Sequence, residues 1–202
     1  MSMRRTTTTP NFRGRSAVVL HRPHAAADAV LRQLERLGIA ARPAWPVLAE
    51  ADLAADFVLF DADTAHDGQF PWPAGSPPMP LVALIGSEAP GRLDWVLAQG
   101  ATAHLLKPVA SGGVFSALVI AEHGFAERRD REARIADLET RLRLRPVVVR
   151  AILMLMAQRG LSEADAFREI RSAAMQRRRS IEEHCLDLAT GPTDPAAGRR
   201  GG

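Results

Sequence analysis

From Ser16 onward, short apolar runs alternate with helix-patterned segments, and this alternation constrains the fold more than any other feature of the chain. Ser16–His21 (SAVVLH), Ile39–Trp45, Asp56–Phe60 (DFVLF), Leu81–Gly86 (LVALIG) and His104–Lys107 (HLLK) read as five strands. Short, nearly continuous apolar runs suit strands buried on both faces. His24–Leu37 places Ala27, Val30, Leu31 and Leu34 at helical spacing and is stopped by Gly38. Leu93–Gln99 reads as a helix closed by Gly100. Strands alternating with helices over about 110 residues predict an α/β domain with a parallel sheet covered on both faces. Thr64–Pro80, rich in Pro and Gly, breaks the alternation and predicts a loop or shortened helix where a full helix would stand.

A different pattern begins at Ser111. Val114–Leu144 has no proline and only Gly124. Apolar positions at Val114, Leu118, Ala121 and Phe125 resume at Ile135, Leu138 and Leu142 after the charged stretch Glu127–Arg134. Spacings of three and four predict a long helix running into a short coiled coil that pairs two copies through Phe125, Ile135, Leu138 and Leu142. An unpartnered linker helix is the plainer reading, because Arg128 and Glu132 interrupt the seam. Pro146 suits the first position of a new or restarted helix ending at Gly160. Ser162-Glu163-Ala164-Asp165 resembles a capping start, and Ser180-Ile181-Glu182-Glu183 is a fuller capping box. The organisation expected is a disordered lead (1–12), an α/β domain (13–121), a linker helix (122–145), a three-helix module (146–190) and a disordered tail (191–202).

Charge separates the two halves. The first 120 residues are nearly neutral, so the net charge of +3 belongs to the C-terminal part. Arg141, Arg143, Arg145, Arg150, Arg159, Arg168, Arg171, Arg177, Arg178 and Arg179 face only Glu163, Asp165 and Glu169 across that stretch. Guanidinium groups match phosphate geometry and displace condensed counterions, so a polyanion is the expected partner, although a merely solvated basic surface has the same composition. The single Cys185 excludes an intramolecular disulfide and fits a reducing compartment. No run reaches the roughly 18 apolar residues of a membrane span, and the N-terminus lacks an apolar signal core. A cytoplasmic protein without membrane contact is expected.

Candidate chemistry is sparse. His21 and His24 lack a third ligand at useful spacing and read as surface histidines. Cys185 reads as a buried thiol beside a surface His184, with no orienting partner that would make it a nucleophile. No glycine-rich phosphate loop and no GxSxG occur, so no catalytic residue, metal site or cofactor is expected and the chain is read as a non-enzyme.

The first domain resembles response-regulator receivers, whose five-stranded, flavodoxin-like doubly wound sheet carries a metal-binding acid pair after the first strand. That family also places a phospho-accepting Asp after the third strand, a Ser or Thr after the fourth and a Lys-Pro after the fifth. Asp61 and Lys107-Pro108 fill two of these places, and Lys107 is the only lysine in the chain. The acid pair is replaced by His21-Arg22-Pro23-His24, and the hydroxyl position falls on Ile85 or Gly86, with Ser87 nearby. Mg²⁺ is a hard cation held by oxygen ligands, which a His-Arg pair does not supply. The resemblance therefore implies a pseudo-receiver in which Asp61 pairs with Lys107 or Arg22 as a vestigial phospho-site. Asp63 and Asp67 are read as solvated loop acids.

The C-terminal stretch RPVVVRAILMLMAQRGLSEADAFREIRSAAMQRRRSIEE resembles the ANTAR domain, the RNA-binding unit of the AmiR and NasT transcription antiterminators. Arg145, Ala151, Met154-Leu155-Met156, Gly160-Leu161-Ser162, Ala166-Phe167, Ile170-Arg171, Ala174-Met175 and Arg179 fill that family's positions without a gap. Ile152 stands where the family usually has Lys. The order of pseudo-receiver, long helix and ANTAR module, together with Trp45-Pro46 and LVALIGSEAP, is similar to the AmiR branch. The resemblance implies a dimeric antiterminator of an inducible, amide-utilisation type operon. It would bind leader mRNA hairpins, and a ligand-sensing negative regulator of the amide-binding type would sequester it. Arg145, Arg150, Arg168, Arg171, Arg178 and Arg179 are the expected RNA-binding residues. Phe167, Ile170 and Ala174 are read as one core arc, which leaves no exposed aromatic for base stacking. The alternatives are a phosphorylation-driven response regulator, a DNA-binding factor using a helix-turn-helix, and a module that binds an acidic protein.

Overall fold

The computed structural model describes residues 10–190 apart from 65 and 67. The expected disorder of 1–9 and 191–202, and Asp67, lie outside these residues. The chain divides into two compact units, Met1–Arg129 and Asp130–Gly202.

The first unit is a five-stranded parallel sheet in the order β2-β1-β3-β4-β5. Its strands are β1 (Ser16–Leu20), β2 (Ala40–Ala44), β3 (Phe57–Asp61), β4 (Leu81–Ile85) and β5 (Ala103–Leu106). Helix α1 (Ala25–Arg36) follows β1 and α2 (Pro90–Ala98) follows β4, while a 3-10 turn, Glu50–Ala54, precedes β3. The sequence places α2's start at Leu93, but Pro90 opens it one turn earlier, where a missing N–H costs nothing.

Alternation along the strands sorts the core into two layers. Phe57 and Leu59 of β3 join Val19, Val30, Leu34 and Leu118 on one face, whereas Val58 and Phe60 join Leu20, Ala83, Ile85 and Val96 on the other. Phe12, assigned by sequence to the disordered lead, is buried against Phe57, with ring centroids 5.4 Å apart. An isolated aromatic without periodicity gave no sign of that contact.

Beside α2, the second face is covered by chain that is not helical. Among the described residues no helix forms between β3 and β4, in keeping with the loop or shortened helix that the Pro- and Gly-rich composition predicts. Phe70 from this segment packs edge-on against Phe60 at 5.2 Å and stacks with Trp72 at 5.1 Å and Trp95 at 6.4 Å. Aromatic area thus does the covering that a helix would do.

Helix α3 runs without a break from Val114 to Arg159. Its first turns bury Val114, Ala117, Leu118 and Ala121. At Gly124 a Cβ would lie 2.7 Å from Cβ of Thr102, so only glycine allows the helix to approach the start of β5 this closely. Pro146 lies inside α3 and does not start a new helix. A proline removes one intrahelical donor, and helix-forming turns on both sides carry the helix across that loss. The helix signal of a proline is the same at a start and at a tolerated interior position, which is why the sequence misplaced the boundary.

In the second unit, α4 (Glu163–Gln176) and α5 (Ile181–Thr190) complete the three-helix module. Ser162 Oγ accepts from Asp165 N, and Ser180 exchanges bonds with Glu183 in the expected capping box. Ala151 and Leu155 of α3, Ala166 and Ile170 of α4 and Cys185 of α5 form the core.

Replacing Phe70 with Ala removes the centre of the aromatic cover. Urea unfolding is expected to show a loss of about 3 kcal/mol with the helical circular dichroism of the folded state unchanged. A loss under about 0.5 kcal/mol, the range of an ordinary surface substitution, would mean that this segment is only draped over the sheet.

Candidate functional site

Two places in the chain concentrate polar chemistry. The first lies at the carboxyl ends of β1 and β3, the point where strand order reverses in this topology and where ligands of such sheets bind. Asp61 ends β3, and its side chain is 1% exposed. Its Oδ1 accepts from Lys107 Nζ at 2.5 Å and from Asp63 N at 3.0 Å, and its Oδ2 accepts from the Thr64 hydroxyl at 2.6 Å. Lys107, which follows β5 and precedes a cis bond to Pro108, also contacts Asp63 Oδ2 at 2.8 Å. Of the two sequence-based partners for Asp61, the structure selects Lys107; Arg22 is exposed, and no bond joins it to Asp61 among the described residues.

His21 corrects an expectation. It is buried at 3% exposure, not a surface residue, and stacks on the exposed His24 with ring centroids 5.6 Å apart. Its Nδ1 lies 2.7 Å from the Arg22 carbonyl oxygen, which can only accept, so Nδ1 carries the hydrogen. Nε2 then faces Lys107 Nζ at 3.3 Å and Asp61 Oδ2 at 3.5 Å. Strand β1 ends against β3, so the residue after it points at Asp61 whatever its chemistry. His24 instead caps α1, accepting from Ala26 N.

Asp63 is a second correction. Far from being a solvated loop acid, it accepts from Gly86 N through both oxygens, at 2.8 and 3.0 Å, and from Lys107. A Cβ at position 86 would lie 2.6 Å from Asp63 Oδ2, so the glycine makes room for this carboxylate. Thr64 and Asp63 were missed because both sit in a loop whose geometry no periodicity reveals. Burial disfavours ionised Asp61, but hydrogen bonds from Lys107, Thr64 and the Asp63 amide outweigh it and hold the carboxyl below its ordinary range. The receiver resemblance implies a Mg²⁺ site here. The residues do not fit one: imidazole and ammonium groups face the carboxylates, and no group of three or more His, Cys, Asp or Glu suited to a metal occurs among the described residues.

The second place is the basic module. Its arginines fall into two sets. Arg168 is paired with Asp165 at 2.7 Å, Arg159 with Glu169 and Arg179 with Asp187. Arg145, Arg150, Arg171, Arg177 and Arg178 are exposed, and their side chains have no acid partner among the described residues. Arg178 stands just after α4 with φ +53, the one non-glycine left-handed residue among those described. There Arg178 N donates to Met175 O and Arg179 N to Ala174 O, closing the helix in the manner usually reserved for glycine. Arginine in that conformation costs about 1 kcal/mol.

Phe167 is the third correction. The buried row of α4 is Ala166, Ile170 and Ala174, spaced four apart, and Phe167 is 40% exposed. Ala166 and Ala174 flank Ile170 in that row, and Ala166 and Ile170 pack with Ala151 and Leu155; the arc read from the sequence put the aromatic where Ala166 lies. His184 is likewise buried, not exposed, beside Cys185, whose thiol is pushed up by burial and then by Glu182. That direction disfavours a thiolate nucleophile. Of the residues expected to pair two copies, Ile135, Leu138 and Leu142 are 56%, 50% and 63% exposed, whereas Phe125 is half-buried with the Arg128 guanidinium 5.2 Å from its ring centre.

Comparison with known proteins joins these two places. The family described as AmiR, N-terminal, matches residues 15–122, and the ANTAR domain matches 136–188. The aliphatic amidase regulator of Pseudomonas aeruginosa is 26% identical over 181 residues, covering 88% of this chain and 92% of that one. The transcriptional regulatory protein PdtaR of Mycobacterium tuberculosis is 33% identical over 118 residues, which are 57% of this chain and 58% of that one. The response regulator StyR has the same fold, with a TM-score of 0.50 at 15% identity over 87% of this chain and 98% of its own.

Removing the Lys107 ammonium leaves a buried carboxylate uncompensated. Lys107→Met is expected to lower unfolding free energy by about 3 kcal/mol at neutral pH, and Asp61→Asn by less. Because the folded Asp61 pKa is depressed, its contribution is present above the unfolded value near about 4 and is lost as pH falls through the folded value. Asp61→Asn should therefore flatten the acid limb of the stability curve. An unchanged acid limb, or a neutral Lys107→Met, would contradict this assignment.

Proposed function

We propose that this chain, which belongs to the AmiR family, binds paired leader mRNA hairpins as a homodimer and so prevents transcription termination in an inducible operon of the amide-utilisation type. The carrying observation is the set of exposed arginines without acid partners on a module that matches the ANTAR domain. Family membership supplies the regulatory, RNA-binding class. The likeness to an aliphatic amidase regulator supports the kind of operon.

Control by protein contact is the second part of the proposal. Both oxygens of Asp61 are engaged and its one nearby ammonium is shared with Asp63, so the pocket is neutralised from within. Phosphoryl transfer depends on cations that offset developing charge, and here the chain's own carboxylates take up that charge. A ligand-sensing negative regulator of the amide-binding type would hold the first unit until its ligand binds. Leu97 of α2, Leu106 of β5 and Ile120 of α3 are 68%, 51% and 56% exposed and offer apolar surface for such a contact. The second copy would pair through Ile135, Leu138 and Leu142, with Phe125 at the start of the seam.

Arg145, Arg150, Arg171 and Arg178 would contact phosphate directly. Arg168 and Arg179 would first exchange Asp165 and Asp187 for RNA, so their loss should matter less. Fluorescence anisotropy with the leader hairpins of the chain's own operon tests this. Arg171→Ala is expected to weaken binding about tenfold and to reduce the salt slope by about one. Arg159→Ala, at a residue paired with Glu169 and outside the proposed surface, should stay within about twofold of wild type. Equal losses for the two variants, or none for Arg171→Ala, would place the RNA elsewhere.

A further inference from the structure

The exposed face of α4 carries a row that charge alone does not explain. Phe167, Arg171 and Met175 are spaced four apart and therefore lie one above another along the helix. Phe167 is the only aromatic residue after Phe125 in the entire chain, yet it is 40% exposed, and Met175 is 70% exposed. The core of the module is built without either of them, from Ala151, Leu155, Ala166, Ile170 and Cys185. Between the two apolar side chains stands Arg171, which has no acid partner among the described residues, and Arg177 and Arg178 follow just beyond the helix end in the same state.

We propose that the Phe167–Arg171–Met175 row is a stacking surface for unpaired RNA bases, with Arg171 holding the phosphate between them. This rests on the RNA-binding reading and adds to it the part of the RNA that is recognised. An aromatic face and a polarisable thioether gain from contact with a flat base, and neither gains from a phosphate. A double-stranded stem hides its base faces, so only loop, bulge or end nucleotides can use this row. The unneutralised guanidinium in the middle favours a polyanion over a second copy of the same basic module, which would bring like charges together.

The test uses the full chain and a pool of RNA hairpins that share one stem and carry randomised loops, with the same stem as a blunt duplex for reference. Wild type is expected to enrich particular loops. On an enriched hairpin, Phe167→Ala and Phe167→Leu should each weaken binding about tenfold, while Phe167→Tyr stays within about twofold. Duplex binding should be unchanged in all three, and thermal melting should show each variant folded. Full binding by Phe167→Leu would overturn the stacking role, since bulk alone would then suffice. A loss on the duplex equal to that on the hairpin would overturn it too. So would a change in oligomeric state in Phe167→Ala, which would make the row an interface between copies. If Arg171→Ala loses hairpin binding and Phe167→Ala does not, the RNA-binding reading stands and this inference falls. If wild type enriches no loop and binds no hairpin above the duplex, the hairpin reading itself fails.

Discussion

One ammonium group sets the character of the first unit. Lys107 lies between two carboxylates, 2.5 Å from Asp61 and 2.8 Å from Asp63, at the reversal point of a parallel sheet. Carboxylates that share one ammonium, with one of them removed from water, are stable together only if a cation and N–H or O–H donors compensate them. Here the cation is Lys107 and the donors are the Thr64 hydroxyl and the amides of Asp63 and Gly86. The rest of the pocket follows: His21 turns its Nδ1 hydrogen to a carbonyl and its Nε2 to the ammonium, and position 86 has no room for a side chain. The pocket's charges are closed on themselves, which supports the proposal that it serves as a scaffold.

Much of this was legible in the sequence because the signals were periodic or singular. Five apolar runs gave five strands, and the receiver resemblance set the lone Lys107 beside Asp61, with Arg22 as the alternative partner. What stayed hidden depended on tertiary geometry. His21 looked like a surface histidine because its burial comes from where β1 ends relative to β3, and Asp63 looked solvated because its donor, Gly86, is 23 positions away. Pro146 shows the opposite failure, a strong local signal overridden by helix-forming turns on both sides.

In the module, too, tertiary geometry decides where the aromatic lies. Its spacing on one arc with Ile170 and Ala174 assigned Phe167 to the core, but the buried row is Ala166, Ile170 and Ala174. Ala166 and Ile170 are the α4 residues that pack with Ala151 and Leu155 of α3. Two alanines stand in the buried row, and the aromatic is displaced one position around the helix to the surface. That displacement turns a bland core residue into an exposed aromatic among cations. The acids do similar sorting among the arginines. Asp165, Glu169 and Asp187 tie down three of them, so a surface that looked uniformly basic contains a smaller uncompensated set.

Both halves meet in the claim that the arginines are controlled by protein contact and that the Asp61 pocket carries no phosphoryl signal. The most direct measurement is intact-protein mass spectrometry after incubation with a small phosphodonor and Mg²⁺, followed by peptide mapping. The account predicts no phosphoryl adduct on Asp61 and unchanged hairpin affinity. A stable phosphoryl group on Asp61 that alters RNA binding would contradict it.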